Sequence, residues 1–232
     1  NKLVSKSAVM AAFNNIPRSI YMSDLKTLPV KIVDNIENVI IGKREVVELV
    51  VTALIADGHI LIEDVPGIGK TSLVSALAKS LGLKFKRIQF TPDILPSDIT
   101  GFSMYNMKTG EFEYRAGNIM SNIILADEIN RTSPKTQASM LEVMEERQVT
   151  VDGVTYPIPN PFMVLATQNP VEYLGTYPLP EAQLDRFLMK VSIGYPTLTM
   201  EKKILEVSKN GDPMTDLGQE ADADMIIGLR KA

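Results

Sequence analysis

Between residues 31 and 56 apolar side chains recur at helical spacing, first at Ile32, Ile36 and Ile40, then at Val46, Val47, Val50 and Leu54. That period puts one face of a helix against a core, and Gly42 between the two groups predicts two helices rather than one. The pattern then changes. Residues 59–62 form an apolar run too short for a helix and rich in Ile, which reads as a buried strand. A glycine-rich turn follows, and then a helix over 70–81 that stops at Gly82. Further strands are predicted at 84–90, 122–125, 162–167 and around 191–193, with helices at 133–147, striped by Met140, Leu141 and Met144, and at 200–209. Residues 91–98 read as a proline-punctuated loop, and Pro17 and Pro29 as breaks in a weakly patterned N-terminal stretch. Two segments alternate as β-hairpins: 102–114 around Lys108-Thr109-Gly110, and 148–156 around Asp152-Gly153, a strong two-residue turn signal.

Strands alternate with helices, and several strands are continuous apolar runs. This pattern predicts an α/β fold with a parallel sheet covered on both faces. The chain divides into an N-terminal arm or helix (1–30), an α/β core (31–196) and a polar, acidic C-terminal stretch (197–232) that begins a further helical unit.

Composition narrows the function classes. The 232 residues are 45% apolar with a net charge of −4, a globular composition whose acidic balance argues against nucleic acid as a partner. Lys84, Lys86 and Arg87 read as a solvated strand edge rather than a DNA footprint. There is no cysteine, which excludes disulfides, thiolate metal sites and cysteine nucleophiles. The N-terminus lacks a signal-peptide pattern, and no apolar run reaches the ~20 residues needed to span a bilayer. The expectation is a cytoplasmic protein without membrane insertion. The single histidine, His59, opens the first strand and is expected to be structural.

The candidate chemistry begins at Pro66-Gly67-Ile68-Gly69-Lys70-Thr71, between a predicted strand and a predicted helix. Glycines there let the backbone curl so that its N–H groups point at phosphate oxygens, and the helix start adds its positive dipole end. Lys70 is expected to reach the β- and γ-phosphates and Thr71 to hold Mg2+, a hard cation that takes oxygen ligands. Ser72 follows in the same turn. The full pattern for such a loop begins with Gly where this chain has Asp64. The strand at 122–125 runs into Asp127 and Glu128. In a parallel sheet both emerge at the carboxyl edge, beside the phosphate loop. Asp127 is expected to bind Mg2+, and Glu128 to orient and activate the attacking water. Asn169, at the end of the next strand, is a candidate for the γ-phosphate or that water, although Asn169-Pro170 is also a plain turn former. Arg186 is a candidate for stabilising charge on the transferred phosphoryl group from a neighbouring subunit; the bland alternative is a surface ion pair with Asp185 or Glu181.

These elements, in this order and spacing, resemble the AAA+ ATPases. The runs Glu63-Asp64-Val65-Pro66-Gly67, Arg87-Ile88-Gln89-Phe90-Thr91-Pro92-Asp93, Leu95-Pro96-Ser97-Asp98-Ile99-Thr100-Gly101 and Tyr177-Pro178-Leu179-Pro180-Glu181-Ala182-Gln183-Leu184-Asp185-Arg186-Phe187 narrow the resemblance to the MoxR family, over residues 39–196. Asp64 is usual in that family. The resemblance implies a P-loop NTPase core with a five-stranded parallel sheet, two β-hairpin inserts and the start of a helical lid. It implies ATP or ADP with Mg2+ as ligands, ATP hydrolysis, Asn169 as sensor 1, Arg186 as an arginine finger acting across a ring, typically a hexamer, and Ile40, Ile41 and Gly42 beside the adenine. It further implies chaperone-like maturation of client protein complexes, often beside proteins with von Willebrand factor A domains, and inserts that face the pore or the client. The sensor 2 arginine of the family lies later in the lid, and Arg230 is not assigned to it. Two other functions fit parts of the sequence: a non-hydrolysing nucleotide switch or scaffold, which has no need of Glu128, and a DNA-dependent motor, which the acidic balance opposes.

Overall fold

A computed structural model of the chain describes residues 22–170, 175–209 and 211–231. Its centre is a five-stranded parallel sheet of β1 (Ile60–Glu63), β2 (Phe85–Gln89), β5 (Ile123–Asp127), β8 (Met163–Gln168) and β9 (Met189–Val191), in the order β2-β5-β8-β1-β9. Two antiparallel hairpins stand apart from it: β3 (Gly101–Asn106) with β4 (Glu111–Ala116), and β6 (Gln148–Val151) with β7 (Val154–Pro157). The helices are α1 (Met22–Glu37), α2 (Arg44–Ile55), α3 (Lys70–Ser80), α4 (Pro96–Thr100), α5 (Pro134–Glu146), α6 (Glu181–Leu184), α7 (Leu198–Lys209), α8 (Pro213–Asp216) and α9 (Ala223–Lys231).

The strand sequences explain the layering. Side chains alternate across a sheet, so a strand buried on both faces must be apolar throughout. Ile60, Ile62, Ile123, Leu125, Met163 and Leu165 pack on one face with α1, α2 and α3. Their neighbours Leu61, Ile124, Ala126, Val164 and Ala166 pack on the other face with Met140, Leu141 and Met144 of α5. The continuous apolar runs are thus two alternating patterns superposed.

Three elements depart from the sequence expectation. Pro29 lies inside α1 and does not break it. An interior proline costs about 3 kcal/mol, but Leu28, Ile32, Val33 and Ile36 are all buried along the same helix, and each such side chain contributes roughly 1.5–3 kcal/mol. Pro17 lies outside the described residues. The loop at 91–98 ends in a short helix, α4, which starts at Pro96, where a fixed φ suits the first helical position; the Asp98 carboxylate accepts the Leu95 N–H at 2.9 Å. The last strand ends at Val191 rather than continuing to Ile193, because the Ile193 N–H is bound by the Asp64 carboxylate instead of a neighbouring strand.

The hairpins are joined by a stack of Tyr114 on Tyr156, with ring centroids 4.0 Å apart and planes 14° from parallel. The β3–β4 hairpin leaves Phe102, Tyr105, Met107 and Phe112 exposed, Met107 at 91%. Asp152 and Gly153 both take positive φ, 51° and 78°, as the tight turn between β6 and β7 requires.

His59 sits at the amino edge of the sheet and is buried. Its Nδ1 accepts the Val164 N–H at 3.0 Å, which fixes the neutral tautomer that donates from Nε2 to the Met144 carbonyl at 3.1 Å. Burial, reinforced by the nearby Arg147 charge, lowers its pKa from 6.5 to about 4 against the opposing pull of the Met144 hydrogen bond. The unfolded chain therefore binds the proton more readily than the folded one. This contribution to stability is complete above pH 6.5 and is lost as pH falls from there towards 4. We expect a loss of about 3 kcal/mol over that interval, read as a falling urea midpoint, from roughly 1.4 kcal/mol per unit of pKa difference. A His59→Gln variant is expected to be less stable at pH 7 and to show a flatter profile between these limits; an equally steep profile would place the titration elsewhere.

Candidate nucleotide site at the carboxyl edge

Because β1, β5 and β8 run parallel, their carboxyl ends open on one edge. β1 leads into the predicted loop. Gly67 and Gly69 take φ of 86° and 90°, and Gly69 is the N-cap of α3. A side chain on either would meet no atom within 4 Å. Conformation rather than space demands glycine here, and the concave side of the turn stays open. The Lys70 ammonium lies over the loop, donating to the carbonyls of Asp64 at 3.0 Å and Val65 at 3.3 Å. Thr71 and Ser72 are exposed on the first turn of α3, while Pro66 precedes the first loop glycine and Ile68 separates the two.

Asp64, the departure from the usual glycine, is buried at 8% exposure. Its carboxylate accepts the backbone N–H groups of Ile193 and Gly194 and the Ser192 hydroxyl, the last at 3.0 Å. The side chain points away from the concavity and ties the loop to the chain leaving β9.

At the end of β5 the Asp127 carboxylate is fixed from both sides. Thr167 donates its hydroxyl to Oδ1 at 2.6 Å, and Arg87 of β2 reaches Oδ2 through Nε at 3.1 Å and Nη2 at 2.5 Å. Glu128 takes a left-handed conformation, φ 57° and ψ 47°, which is rare for a residue with a side chain and typical of functional sites. It stops the strand and starts the 3-10 turn Ile129–Arg131. The Glu128 N–H donates to the Thr167 hydroxyl at 2.9 Å, and its Oε2 accepts from Gln89 at 2.9 Å and Arg131 at 3.1 Å. Asn169 is buried at 9% exposure, directly beyond β8. The edge thus gathers the phosphate loop, two acids and Asn169 on neighbouring strand ends.

Arg186 is elsewhere. The Leu188 N–H bonds the His59 carbonyl at 2.8 Å, which puts the segment carrying Arg186 at the amino edge, opposite the loop. Its guanidinium pairs with Glu145 of α5, not with Asp185 or Glu181. Arg230 is also at that edge. It donates to the Leu54 carbonyl at 3.1 and 2.9 Å and pairs with Asp57 at 2.6 Å, which makes it a cap on the end of α2.

Beside the first turn of α3 lies a cleft of about 360 Å³, lined by Val39, Ile41, Thr71, Ser72, Ile204 and Val207 among others. Of the three residues expected beside an adenine, only Ile41 lines it. Ile40 packs into the core, and Gly42 seats Met200 of α7. The sequence reading did not single out Val39, Ile204 and Val207 of α7, or the side chains that hold the acids, Arg87, Gln89 and Arg131. The i, i+3 spacing of Ile204 and Val207 was the available signal for α7. For Arg87 and Gln89, the contacts of one strand with the next left no mark along the chain.

The donor set suits a magnesium nucleotide. One hydroxyl and one carboxylate are too few for an all-protein cage, and no group of three or more His, Asp or Glu that could hold a metal occurs among the described residues. Mg2+ commonly keeps water and takes the rest of its oxygens from phosphates. No helix among the described residues is long and apolar enough to cross a membrane.

This is the architecture of a P-loop nucleotide-binding protein, and comparison with known proteins agrees. Residues 59–189 match the model of the ATPase family associated with various cellular activities (AAA). The chain is 61% identical over 211 residues to the protein YeaC of Bacillus subtilis, covering 91% of this chain and 66% of that one. It is 48% identical over 170 residues to the Chaperone MoxR1 of Mycobacterium tuberculosis, covering 73% and 45%. A crystal structure of a candidate ATPase from Cytophaga hutchinsonii superposes with a TM-score of 0.81 at 42% identity, covering 90% of this chain and 64% of that one. The chain therefore belongs to the MoxR family of AAA+ ATPases. It spans 45% to 66% of the length of these relatives.

Thr167 is the joint between the two acids, fully buried and bonded to both. A Thr167→Val variant keeps the shape but leaves the Glu128 N–H and one Asp127 oxygen short of a partner. We expect a stability loss of about 1–3 kcal/mol by urea unfolding; a change near zero would mean that water restores both bonds.

Proposed function

We propose that this chain is the ATP-hydrolysing core of a ring-forming machine that remodels or matures other protein complexes. The observation that carries this reading is the placement of Glu128. Its backbone is turned left-handed and its carboxylate is held by Gln89 and Arg131 at the edge where the phosphate loop opens. A carboxylate oriented in this way suits a group that positions and deprotonates water, which a passive nucleotide switch does not need.

In this reading the backbone of residues 66–70 cradles the β- and γ-phosphates, and the cleft at Val39 and Ile41 receives the base. Lys70 leaves the carbonyls of Asp64 and Val65 for phosphate oxygens. Thr71 and Asp127 would hold Mg2+, which would neutralise charge on the phosphates. Asn169 hydrogen-bonds the γ-phosphate or the water, and Glu128 takes the proton as water attacks the γ-phosphorus and the bond from that phosphorus to the β–γ bridging oxygen breaks, releasing ADP and phosphate. Arg186 stands at the edge opposite its own loop, so it serves a nucleotide on an adjoining subunit, which is the geometric support for a ring. The chaperone name of the 48% identical relative supports protein complexes as clients. Partners with von Willebrand factor A domains remain part of the proposal, as does the hexameric count.

Two variants test it. Glu128→Gln is expected to bind ATP as the parent does while turnover drops roughly 10²-fold or more, read by phosphate release beside a fluorescent-nucleotide titration. Turnover at the parent rate would remove Glu128 from the mechanism. Arg186→Ala subunits mixed with parent are expected to depress activity more than dilution does, since each variant disables its neighbour. A loss strictly proportional to the variant fraction would rule out action between subunits.

A further inference from the structure

The turn that joins the core to the lid runs from the end of β9 at Val191 to the start of α7 at Leu198. It is gripped by two charged side chains of opposite sign. The Asp64 carboxylate takes its donors, the N–H groups of Ile193 and Gly194 with the Ser192 hydroxyl. The Lys43 ammonium takes its acceptors, the carbonyls of Ile193 at 2.6 Å and Tyr195 at 2.9 Å. Hydrogen bonds with a charged partner are the stronger kind. Both grips arise from the candidate nucleotide site. Asp64 opens the phosphate loop and lends its own carbonyl to Lys70, and Lys43 lies two residues beyond Ile41, which lines the cleft beside α3.

A second contact joins the same parts. Gly42 has φ of 73°, and a Cβ there would stand 2.7 Å from Cγ and Sδ of Met200 in α7, so the lid helix rests directly on this glycine. Beside the grip lies a cleft of about 550 Å³, lined by Glu37, Gly42, Lys43, Ser192 and Ile193 among others.

We propose that Asp64 and Lys43 form a clasp on residues 192–195 that sets the lid's position from the state of the phosphate loop, which makes Asp64 a positioning residue. The inference rests on the nucleotide-binding reading above. When phosphate draws Lys70 off the Asp64 carbonyl, the loop backbone at Asp64 is released, and its carboxylate carries the change to the turn and so to α7. The residue that departs from the general phosphate-loop pattern is thereby the link to the lid.

The test is Asp64→Gly, which restores the general loop pattern and keeps a residue that the loop tolerates, with Asp64→Asn and Lys43→Met beside it. Amide hydrogen exchange at Ile193 and Gly194 is measured in nucleotide-free protein and with ADP or a non-hydrolysable ATP analogue; nucleotide affinity is measured separately. In nucleotide-free Asp64→Gly, exchange at both amides is expected to rise at least about tenfold, the scale of a lost charged hydrogen bond. Nucleotide is expected to change exchange at these amides in the parent and to leave it unchanged in Asp64→Gly. Asp64→Asn, which keeps one acceptor oxygen, should recover part of both effects, and Lys43→Met should lose part of the response. Parent-like exchange in nucleotide-free Asp64→Gly overturns the clasp, and so does a nucleotide response that survives in it. A parent that binds no nucleotide defeats the functional reading and with it the link to phosphate, while the nucleotide-free comparison still decides whether Asp64 holds the turn.

Discussion

In a sheet whose strands all run the same way, every strand ends at the same edge, and whatever follows those ends is brought together. This constraint places Gly67, Asp127 and Asn169 side by side although they are far apart in sequence, and it sends Arg186 to the opposite edge. The parallel arrangement is stable only when both faces are covered. The two apolar layers under α1 to α3 and under α5 are therefore the condition for the site as well as for the fold.

Within that edge the polar groups restrain one another. Thr167 is bonded to both Asp127 and Glu128, so β8 holds the end of β5. From the other side β2 supplies Arg87 to Asp127 and Gln89 to Glu128. Each acid is held by both strands that flank its own, Asp127 through its carboxylate and Glu128 through its backbone N–H on one side and its carboxylate on the other. The left-handed backbone at Glu128 persists because these bonds surround it.

The sheet and most of the site were legible from the chain because both are written in local patterns. Apolar runs marked the three central strands, β1, β5 and β8, and the acids and glycines sat at their ends. What escaped was non-local. Pro29 reads as a breaker until the burial of Leu28, Ile32 and Ile36 outweighs it. The end of β9 cannot be placed without the Asp64 carboxylate that captures the Ile193 N–H. Arg87 reads with Lys84 and Lys86 as a solvated strand edge, and only the pairing of β2 with β5 brings it and Gln89 to the acids. Ile40, Ile41 and Gly42 are contiguous, yet one faces the core, one the cleft and one the lid helix, a division that a motif match does not convey.

The stack of Tyr114 on Tyr156 has a mechanical meaning. It bolts the β3–β4 hairpin, with its exposed Phe102, Met107 and Phe112, to the β6–β7 hairpin that continues directly from α5. The α5 helix begins just beyond Glu128 and its 3-10 turn. The β6–β7 hairpin leaves α5 at its far end, where Met144 meets His59 and Glu145 meets Arg186, so the joined hairpins root at the edge opposite the acids. The acids and the greasy hairpin pair thus stand at the two ends of one helix, and a tilt of α5 displaces both.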